Sequence, residues 1–324
     1  MQKRKLGYSN LHLTTVGLGT WAIGGGGWAY GWGPQDDAES IAAIHRALDL
    51  GVNWIDTAAV YGLGHSEEVV RQAIAGRRDD VIIATKCGLV WDEGSTTPYG
   101  RLTAASVRRE AENSLRRLNV DTIDLYQIHW PDPEDQIEEA WTTIAELIQE
   151  GKVRYGGVSN FSVEQLQRVQ PIHPVASLQP PYSMLRRGVE DELLAHCADN
   201  DIGVIAYSPM QSGLLTGKYT RERVTELPDG DWRQGSRSFQ EPELSANLAL
   251  VEKLRPIAER SNRTVAQLVI AWVLRRPEVT SAIVGARRPS QIEGTAPAGE
   301  WVLSNDEIAE IDTLLAERER VLEA

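Results

Sequence analysis

Short runs of apolar residues alternate with longer segments in which apolar residues recur at helical spacing along most of this chain. The runs carry β-branched residues and are bounded by turn residues, which is typical of buried strands. They predict strands at residues 15–18, 52–55, 81–85, 123–128, 153–158, 175–178, 202–206 and 279–283. The longer segments predict helices at 37–50, 66–75, 103–118, 134–149, 189–199, 243–260, 264–275 and 304–319, and shorter ones from 162 and near 289.

Residues that favour helix ends lie where this pattern places them. Asp36 or Asp37 is expected to cap the first helix, and Thr103 is expected to open the third. Ser304 and Glu307 have the spacing of a capping box, in which each side chain binds the other residue's backbone amide. The helices are therefore predicted from two signals that do not depend on each other.

The order of strands and helices predicts the fold. Eight β–α units with short connections predict a (β/α)8 TIM barrel that forms a single domain over residues 1–324. Residues 1–13 alternate and turn, which predicts an N-terminal β-hairpin, and residues 208–242 predict a long irregular loop after the seventh strand. A C-terminal helix follows the barrel. A doubly wound sheet would instead need a phosphate-binding glycine turn, which residues 17–21 do not supply.

Composition and charge argue against several classes of protein. Lys and Arg number 33 and Asp and Glu 46, so the net charge is −13, and an acidic surface repels nucleic-acid backbones. Two cysteines make no disulfide framework, and the apolar runs are far short of a membrane span. We therefore expect a soluble cytoplasmic protein with no nucleic-acid or membrane partner. The histidines His65, His129, His173 and His196 lie on separate elements, which predicts no metal site.

Four polar side chains lie at or just after the ends of three successive strands. Asp56 and Tyr61 follow the second strand, Lys86 the third and His129 the fourth. The carboxyl ends of the strands share one mouth of a barrel, where catalysis takes place. An ion pair with Asp56 keeps Lys86 charged, and this charge should lower the pKa of the Tyr61 phenol. With a neutral His129 on the same oxygen, the set can protonate a carbonyl that receives hydride from a nicotinamide or flavin.

These residues and the segments around them resemble the aldo-keto reductase superfamily, in its bacterial type, over the whole chain. The similar segments are Leu18-Gly19-Thr20-Trp21, Asp56-Thr57-Ala58 with Tyr61-Gly62, Thr85-Lys86, residues 124–132, residues 157–161, Tyr207-Ser208-Pro209, residues 213–218 and residues 283–291. The resemblance implies reversible, NADPH-dependent reduction of aldehydes or ketones, with a small-molecule carbonyl substrate. It implies that Tyr61 is the general acid, assisted by Lys86, Asp56 and His129.

The same resemblance implies a cofactor site along the strand ends. Ser159, Asn160 and Gln179 would hold the nicotinamide carboxamide, and Tyr207 would stack on the ring. The other implied cofactor contacts are Thr20, Trp21, Asp56, Ser208, Pro209, Gln211, Gly213, Leu215, Lys218, Gly285, Arg287 and Gln291. Many members have Lys-Ser at the position of Gly285-Ala286, and that lysine binds the 2′-phosphate of the cofactor. Arg287 and Arg288 can replace it, since guanidinium groups bind phosphate well, so we expect NADP (NADPH) and regard NAD as the weaker candidate.

Aromatic residues are concentrated in the loops of the predicted mouth. The candidate substrate contacts are Trp21, Trp28, Tyr61, Trp91, His129 and Trp130. Aromatic residues fill cores as well as pockets, so packing remains an alternative for the tryptophans. The loops at 22–35, 91–101 and 208–242 are expected to set the substrate specificity.

Two other functions stay open at this point. A desolvated lysine at a strand end can form a Schiff base, so Lys86 could serve a lyase, although an Asp56 partner keeps the amine protonated. The chain also resembles the β-subunits of potassium channels, which keep the four residues and a cofactor yet serve as channel partners. The sequence predicts no particular oligomeric state.

Overall fold

A parallel barrel of eight strands forms the centre of the computed structural model, which describes residues 1–228 and 231–323. The strands in chain order are β1 (Lys3–Lys5), β2 (His12–Thr14), β3 (Val16–Gly19), β4 (Trp54–Asp56), β5 (Ile82–Cys87), β6 (Leu89–Val90), β7 (Tyr99–Gly100), β8 (Ile123–Ile128), β9 (Val153–Ser159), β10 (Ser177–Gln179), β11 (Gly203–Ala206) and β12 (Val279–Gly285). The barrel order is β3, β4, β5, β8, β9, β10, β11 and β12, and β12 pairs with β3. All these pairs are parallel, which confirms the TIM barrel and brings the strand ends to one mouth.

Helices follow the barrel strands. In chain order they are α1 (Asp37–Asp49), α2 (His65–Ala73), α3 (Ala104–Leu118), α4 (Ile137–Gln149), α5 (Val163–Val169), α6 (Leu193–Asp199), α7 (Arg221–Thr225), α8 (Glu243–Arg260), α9 (Val265–Leu274), α10 (Pro289–Thr295) and α11 (Asn305–Glu323). α11 continues past the predicted end at residue 319, because its last residues include good helix formers and no helix breaker. Across the described part of the chain, the helices are all too short or too polar to span a bilayer.

The predicted residues lie at the caps of α1, α3 and α11, and two of the three make the side-chain bond. Asp36 Oδ1 accepts from the Glu39 amide at 2.8 Å. The Glu307 amide donates to Ser304 Oγ at 3.2 Å, and the Ser304 amide donates to Glu307 Oε2 at 2.7 Å, so the capping box is present. The Thr103 side chain makes no capping bond. The Ala104 amide instead donates to Glu139 Oε1 at 2.7 Å, so a side chain from the neighbouring helix α4 binds the first amide of α3.

Two loops at the mouth contain structure that the sequence pattern did not predict. β6 and β7 pair antiparallel at the edges of the loop 91–101, with Leu89 opposite Gly100. Within 208–242, α7 is capped by the Thr220 hydroxyl, which accepts from the Arg223 amide at 3.2 Å. The prediction of an irregular segment was wrong in this part. Strands of two residues have no alternation, and one helical turn has no period, so neither produces a pattern.

The N-terminal hairpin covers the amino end of the barrel. β1 pairs antiparallel with β2, which confirms the predicted hairpin, and Leu6 and Leu11 are buried together with residues of the barrel interior. The Trp54 indole N–H donates to the Thr14 carbonyl at 3.1 Å. Gly17 leaves room for this ring, because a Cβ there would lie 2.0 Å from the indole. The carboxyl end of the barrel is left for the functional site.

A buried acid on α3 makes the stability of the fold depend on pH. Glu110 accepts hydrogen bonds from the Gly88 amide at 2.9 Å and from the Ser106 hydroxyl at 3.0 Å. Burial raises the pKa of Glu110 to about 7. Because folding raises the pKa of this carboxyl, the protonated Glu110 contributes fully to the free energy of unfolding at a pH below the pKa of the unfolded chain. That contribution is lost as the pH rises through about 7.

We expect Glu110→Gln to remove this pH dependence of stability, because the glutamine amide does not titrate. Between about pH 5 and pH 8, the free energy of unfolding of the variant should gain roughly 2–3 kcal/mol relative to that of the natural chain. Denaturant unfolding at both pH values measures the difference. Parallel pH profiles for the two proteins would contradict the prediction.

Candidate active site

A buried ion pair lies at the ends of β4 and β5. Lys86 Nζ is 2.7 Å from Asp56 Oδ2, and the two side chains are 0% and 4% exposed. The ammonium also donates to the Thr57 carbonyl at 2.9 Å and to Tyr61 Oη at 3.2 Å. Three acceptors therefore match the three hydrogens of the ammonium, which is what a buried charge requires.

The second carboxylate oxygen of Asp56 is bound from across the barrel. Gln179, the last residue of β10, donates its side-chain N–H to Asp56 Oδ1 at 2.8 Å. The Thr20 hydroxyl donates to the Asp56 backbone carbonyl at 3.0 Å. The backbone and the side chain of Asp56 are thus held by residues from β10 and from the end of β3. The carboxylate that pairs with Lys86 therefore has a fixed orientation.

Tyr61 and His129 lie next to each other at the mouth. Their rings meet edge to face, with centroids 5.7 Å apart. Gly62 turns the chain directly after Tyr61 at a φ of +63°, and a Cβ there would lie 2.2 Å from the Gly24 carbonyl oxygen. The loop that carries Tyr61 and the loop 22–35 therefore touch through their backbones, at a place where only glycine fits.

Burial dominates the titration of these groups. Burial, and then the charge of Asp56, raises the pKa of Tyr61 well above its ordinary value. The prediction that Lys86 lowers this pKa was wrong, because it counted the nearest charge and left out the loss of solvation. Burial also lowers the pKa of Lys86, and Asp56 opposes that shift. Burial and then the Lys86 charge lower the pKa of His129 well below its ordinary value, so the imidazole is neutral at neutral pH.

The residues expected at the nicotinamide carboxamide form one hydrogen-bonded group. The Ser159 hydroxyl donates to the Gln179 carbonyl at 2.8 Å. The Asn160 amide donates to Ser159 Oγ and to the His129 carbonyl, each at 3.0 Å. The Tyr207 hydroxyl donates to Asn160 Oδ1 at 2.9 Å. The structure therefore brings the three residues expected at the carboxamide together beside His129, with Tyr207, which was expected to stack on the ring.

The 208–218 loop has a tightly turned backbone. Gln211, Ser212 and Gly213 all have left-handed backbone angles, with φ of 47°, 54° and 91°. Two of their amides already donate within the loop, that of Gln211 to the Ser208 carbonyl at 2.9 Å and that of Gly213 to the Met210 carbonyl at 3.1 Å. Ser208 is also left-handed, with φ of 55°.

The other predicted residues of this loop differ in what they can offer a cofactor. The Gln211 side chain is already used, since its Oε1 accepts from the Ser183 hydroxyl at 2.9 Å. Pro209 and Leu215 are buried, whereas Lys218 is exposed. Leu215 therefore packs in the core, and among these residues Lys218 has the side chain that solvent and ligands can reach.

Arg287, expected at the adenosine end, is held by the loop 22–35. Its guanidinium donates to Gln35 Oε1 at 2.5 Å, to the Trp32 carbonyl at 3.3 Å and to the Pro34 carbonyl. In return, the Gln35 side chain donates to the Arg287 carbonyl at 2.9 Å. Arg287 therefore joins the end of β12 to the loop that follows the neighbouring strand β3.

The neighbours of Arg287 are more accessible. Gly285 is exposed, and a Cβ there would meet nothing within 4 Å. Gln291 turns back to accept from the Arg287 amide at 2.6 Å. The Arg288 carbonyl accepts from the Gln291 amide at 3.1 Å, whereas its exposed side chain makes no hydrogen bond or ion pair with the residues that the structure describes. Its guanidinium is thus the one in this group whose donors are left for a ligand.

The predicted substrate residues surround Tyr61 unequally. Trp21 stacks on Tyr61, with ring centroids 6.3 Å apart and an interplanar angle of 24°. Trp28 is buried in a cluster with Tyr61, and Trp91 packs against that cluster. Trp130 is 42% exposed. Three of the four tryptophans therefore belong to the wall around Tyr61, and Trp130 largely faces solvent.

Trp232 belongs to the same wall, which the sequence pattern did not predict. It stacks on Trp21, with centroids 5.2 Å apart. Trp32 meets both rings edge-on, at 5.4 Å from Trp21 and 5.7 Å from Trp232. Trp232 lies in a polar segment that shows no helical or strand periodicity. A large apolar side chain in such a segment needs a distant partner to bury it, and this could have identified Trp232 from the sequence.

Comparison with known proteins gives evidence on the family of this chain. The model of the aldo/keto reductase family matches residues 15–316. Aldo-keto reductase YhdN of Bacillus subtilis is 40% identical over 318 residues, which cover 97% of this chain and 94% of that protein. The NADH-specific methylglyoxal reductase of Escherichia coli is 35% identical over 336 residues, which cover 100% of both chains.

Solved structures give the same result at the level of the fold. The glycerol dehydrogenase of Gluconobacter oxydans superposes with a TM-score of 0.89 at 40% identity, covering 98% of this chain and 96% of that one. The holo form of an aldo-keto reductase from Bacillus halodurans gives a TM-score of 0.81 at 28% identity, covering 97% and 96%. The barrel, the polar residues at its mouth and these similarities together show that the chain belongs to the aldo/keto reductase family of oxidoreductases.

Proposed function

We propose that this protein reduces aldehydes or ketones to alcohols with NADPH, reversibly, and that Tyr61 is the proton donor. The observation that carries the proposal is the position of Lys86 Nζ, 2.7 Å from Asp56 Oδ2 and 3.2 Å from Tyr61 Oη. A phenol that is held against a buried ammonium, at the mouth of a barrel, has the surroundings of a reacting group.

Each of the four residues has its own task in this proposal. The raised pKa keeps the Tyr61 phenol protonated at neutral pH, so it has a proton to give to the carbonyl oxygen. As that proton leaves, the Lys86 ammonium stabilises the negative charge on the phenol oxygen. Asp56 holds Lys86 in place. The neutral imidazole of His129 can donate a hydrogen bond to the same carbonyl oxygen and orient it.

The residues around these four fit a nicotinamide dinucleotide. When bound, this cofactor supplies the hydride that no side chain can supply. Ser159, Asn160 and Gln179 are proposed to hold its carboxamide, and Tyr207 to pack on its ring. The loop 208–218 is proposed to cover the pyrophosphate, where the exposed side chain of Lys218 can meet its charge.

Three arginines support NADPH rather than NADH. The charges of Arg288 and Arg233 both lower the pKa of Arg287, after burial, so the three guanidinium groups lie near one another in a chain of net charge −13. Arg287 already donates to the loop 22–35. We therefore assign the 2′-phosphate to Arg288. The E. coli relative is named as NADH-specific, so this preference rests on the arginines of this chain.

We expect Arg288→Ala to weaken NADPH binding by about tenfold to 100-fold, because a hydrogen bond to a charged group is lost. NADH lacks the 2′-phosphate, so its affinity should stay within about twofold of the natural value. Quenching of tryptophan fluorescence measures both affinities, since Trp21 stacks on Tyr61 at the mouth. An equal loss for the two cofactors, or no loss for either, would contradict the assignment.

The function itself is tested by turnover. The purified protein should oxidise NADPH in the presence of small aldehydes or ketones, as followed by the absorbance of the reduced nicotinamide. Quenching of the protein fluorescence by neither NADPH nor NADH would overturn the cofactor proposal. Cofactor binding without turnover on a panel of carbonyl compounds would favour the alternative of a partner protein that resembles channel β-subunits.

The Schiff-base lyase is the weaker alternative. The Lys86 amine lies 2.7 Å from Asp56, and an amine that an ion pair keeps protonated is a poor nucleophile. Trapping of a carbonyl compound on Lys86 by borohydride would revive it. The single domain, the cytoplasmic location and the absence of a nucleic-acid partner stay predictions from the sequence.

A further inference from the structure

The tryptophans around Tyr61 differ in how their indole N–H groups are bound. The N–H of Trp21 donates to the Tyr30 carbonyl at 3.1 Å. The N–H groups of Trp28, Trp32 and Trp232 are buried, and no described residue accepts a hydrogen bond from any of them. Trp28 and Trp32 lie in the loop 22–35, beside Tyr61 and Trp21 respectively, and Trp232 stacks on Trp21 from the loop after the seventh barrel strand.

Elsewhere in the barrel two buried indoles have acceptors, and the indole of Trp272 on α9 has none among the described residues. The Trp54 N–H donates to the Thr14 carbonyl at 3.1 Å, and the Trp141 N–H donates to the His173 carbonyl at 2.9 Å. A buried donor without an acceptor is rare in folded proteins, and it asks for a reason. At Trp28 and Trp32, the reason that fits the position is an acceptor brought by a ligand.

The chemistry of the indole limits what this ligand is. An indole N–H is a donor and never an acceptor, so its partner must be an oxygen or nitrogen with a lone pair. Most of the surrounding wall is aromatic, which suits a small molecule with few polar atoms.

The charges near the wall favour an uncharged acceptor. Arg233 lies 4.5 Å above the Trp32 ring, but its guanidinium is paired with Asp231 through bonds of 2.9 Å and 2.6 Å. The Lys86 ammonium is paired with Asp56 in the same way. These two cations are thus paired with acids, and the guanidinium of Arg287, which donates to the Trp32 carbonyl, is held by acceptors of the loop 22–35, so a carboxylate on the ligand would find no free cation in these three residues.

We propose that Trp28 and Trp32 determine substrate specificity by donating their indole N–H groups to a second, uncharged oxygen of the substrate. The preferred substrates are then small hydroxycarbonyl or dicarbonyl compounds rather than alkyl aldehydes and ketones. The inference rests on the carbonyl reduction proposed above. It gives the loop 22–35 a function in recognition besides its contact with Arg287.

Two ketones of equal size test this inference. Hydroxyacetone and butanone differ by a hydroxyl in place of a methyl group, so they fill a pocket alike and differ in the acceptor they offer. The natural protein should have a kcat/KM for hydroxyacetone about tenfold above that for butanone, since a site built to bind an oxygen disfavours the analogue that lacks it. Trp28→Phe and Trp32→Phe each keep an aromatic ring and remove the N–H.

At least one of the two variants should lower kcat/KM for hydroxyacetone by about fivefold and leave butanone within about twofold. Trp272→Phe is the matched control, because the Trp272 N–H is also buried without an acceptor among the described residues, but on α9 away from Tyr61. In this control, the ratio of kcat/KM for hydroxyacetone to kcat/KM for butanone should be the same as in the natural protein. If one of the mouth variants fails to fold, the other carries the test.

The outcomes separate the inference from the function on which it rests. The role of the indoles is overturned if Trp28→Phe and Trp32→Phe lower kcat/KM equally for both ketones. It is also overturned if the natural protein does not prefer hydroxyacetone. Neither result contradicts carbonyl reduction itself. No turnover of hydroxyacetone, butanone or any other carbonyl compound overturns the proposed function, and the inference with it.

Discussion

Replacing Tyr61 by phenylalanine is expected to lower kcat for carbonyl reduction by about 100-fold to 10,000-fold, the contribution typical of a positioned proton donor. The variant keeps the ring, and with it the stacking on Trp21 and the edge contact with His129. It removes the hydroxyl that lies 3.2 Å from Lys86 Nζ and the proton which that hydroxyl carries. Initial rates with NADPH and a small aldehyde measure the loss.

Cofactor binding distinguishes a lost proton donor from a damaged site. Fluorescence titration of Tyr61→Phe should give an NADPH affinity close to that of the natural chain, because the residues proposed to bind the cofactor are unchanged. Tyr155→Phe is the matched control: its hydroxyl accepts from the Asn10 amide at 3.2 Å, by the hairpin at the other end of the barrel. A Tyr61→Phe protein that kept most of its rate would rule out the general-acid role.

Replacing Lys86 by methionine is expected to lower the free energy of unfolding by about 3–5 kcal/mol, as when one partner of a buried ion pair is removed. Methionine has a similar length, so the loss comes chiefly from the Asp56 carboxylate, which is 4% exposed and then has no opposite charge at 2.7 Å. Turnover should be lost as well, because nothing then stabilises the charge on the Tyr61 oxygen. Denaturant unfolding measures the stability.

A second substitution tests this explanation. Asp56→Asn combined with Lys86→Met removes both charges, and Gln179 can still donate to the asparagine oxygen at the position where it now meets Asp56 Oδ1. The double variant should recover much of the lost stability and none of the turnover. The loss of unfolding free energy in the double variant can be compared with the sum of the losses in the two single variants. If it equals that sum, the two sites act independently and the ion pair does not explain the loss.

The main elements of the barrel could be predicted because each is encoded locally. A run such as 123–128 is mostly apolar and β-forming, and the structure has β8 at Ile123–Ile128 as predicted, buried on both faces. Asp56, Lys86 and His129 could be placed together for the same reason, since parallel strands bring their carboxyl ends to one mouth. What could not be predicted were α7 and the pair β6–β7, which are too short for a period.

The site illustrates a second limit, which concerns energy rather than position. The sequence places Lys86 near Tyr61, and on charge alone the pKa of the phenol should fall. In the folded protein Tyr61 is 9% exposed and its pKa rises, because the loss of water outweighs a cation that Asp56 already pairs. Solvation depends on everything packed around a group, so one pair of residues does not determine it.

The sequence by itself determined that this chain folds as a barrel, and which polar residues stand at the strand ends. The tertiary structure decided how those residues are held. The bond from Gln179 to Asp56 joins residues 123 positions apart, and that from Arg287 to Gln35 joins residues 252 apart. The stacking of Trp232 on Trp21 links two separate loops. Such contacts follow from the closure of the barrel, which sets distant loops side by side, and no local period of polar and apolar residues encodes them.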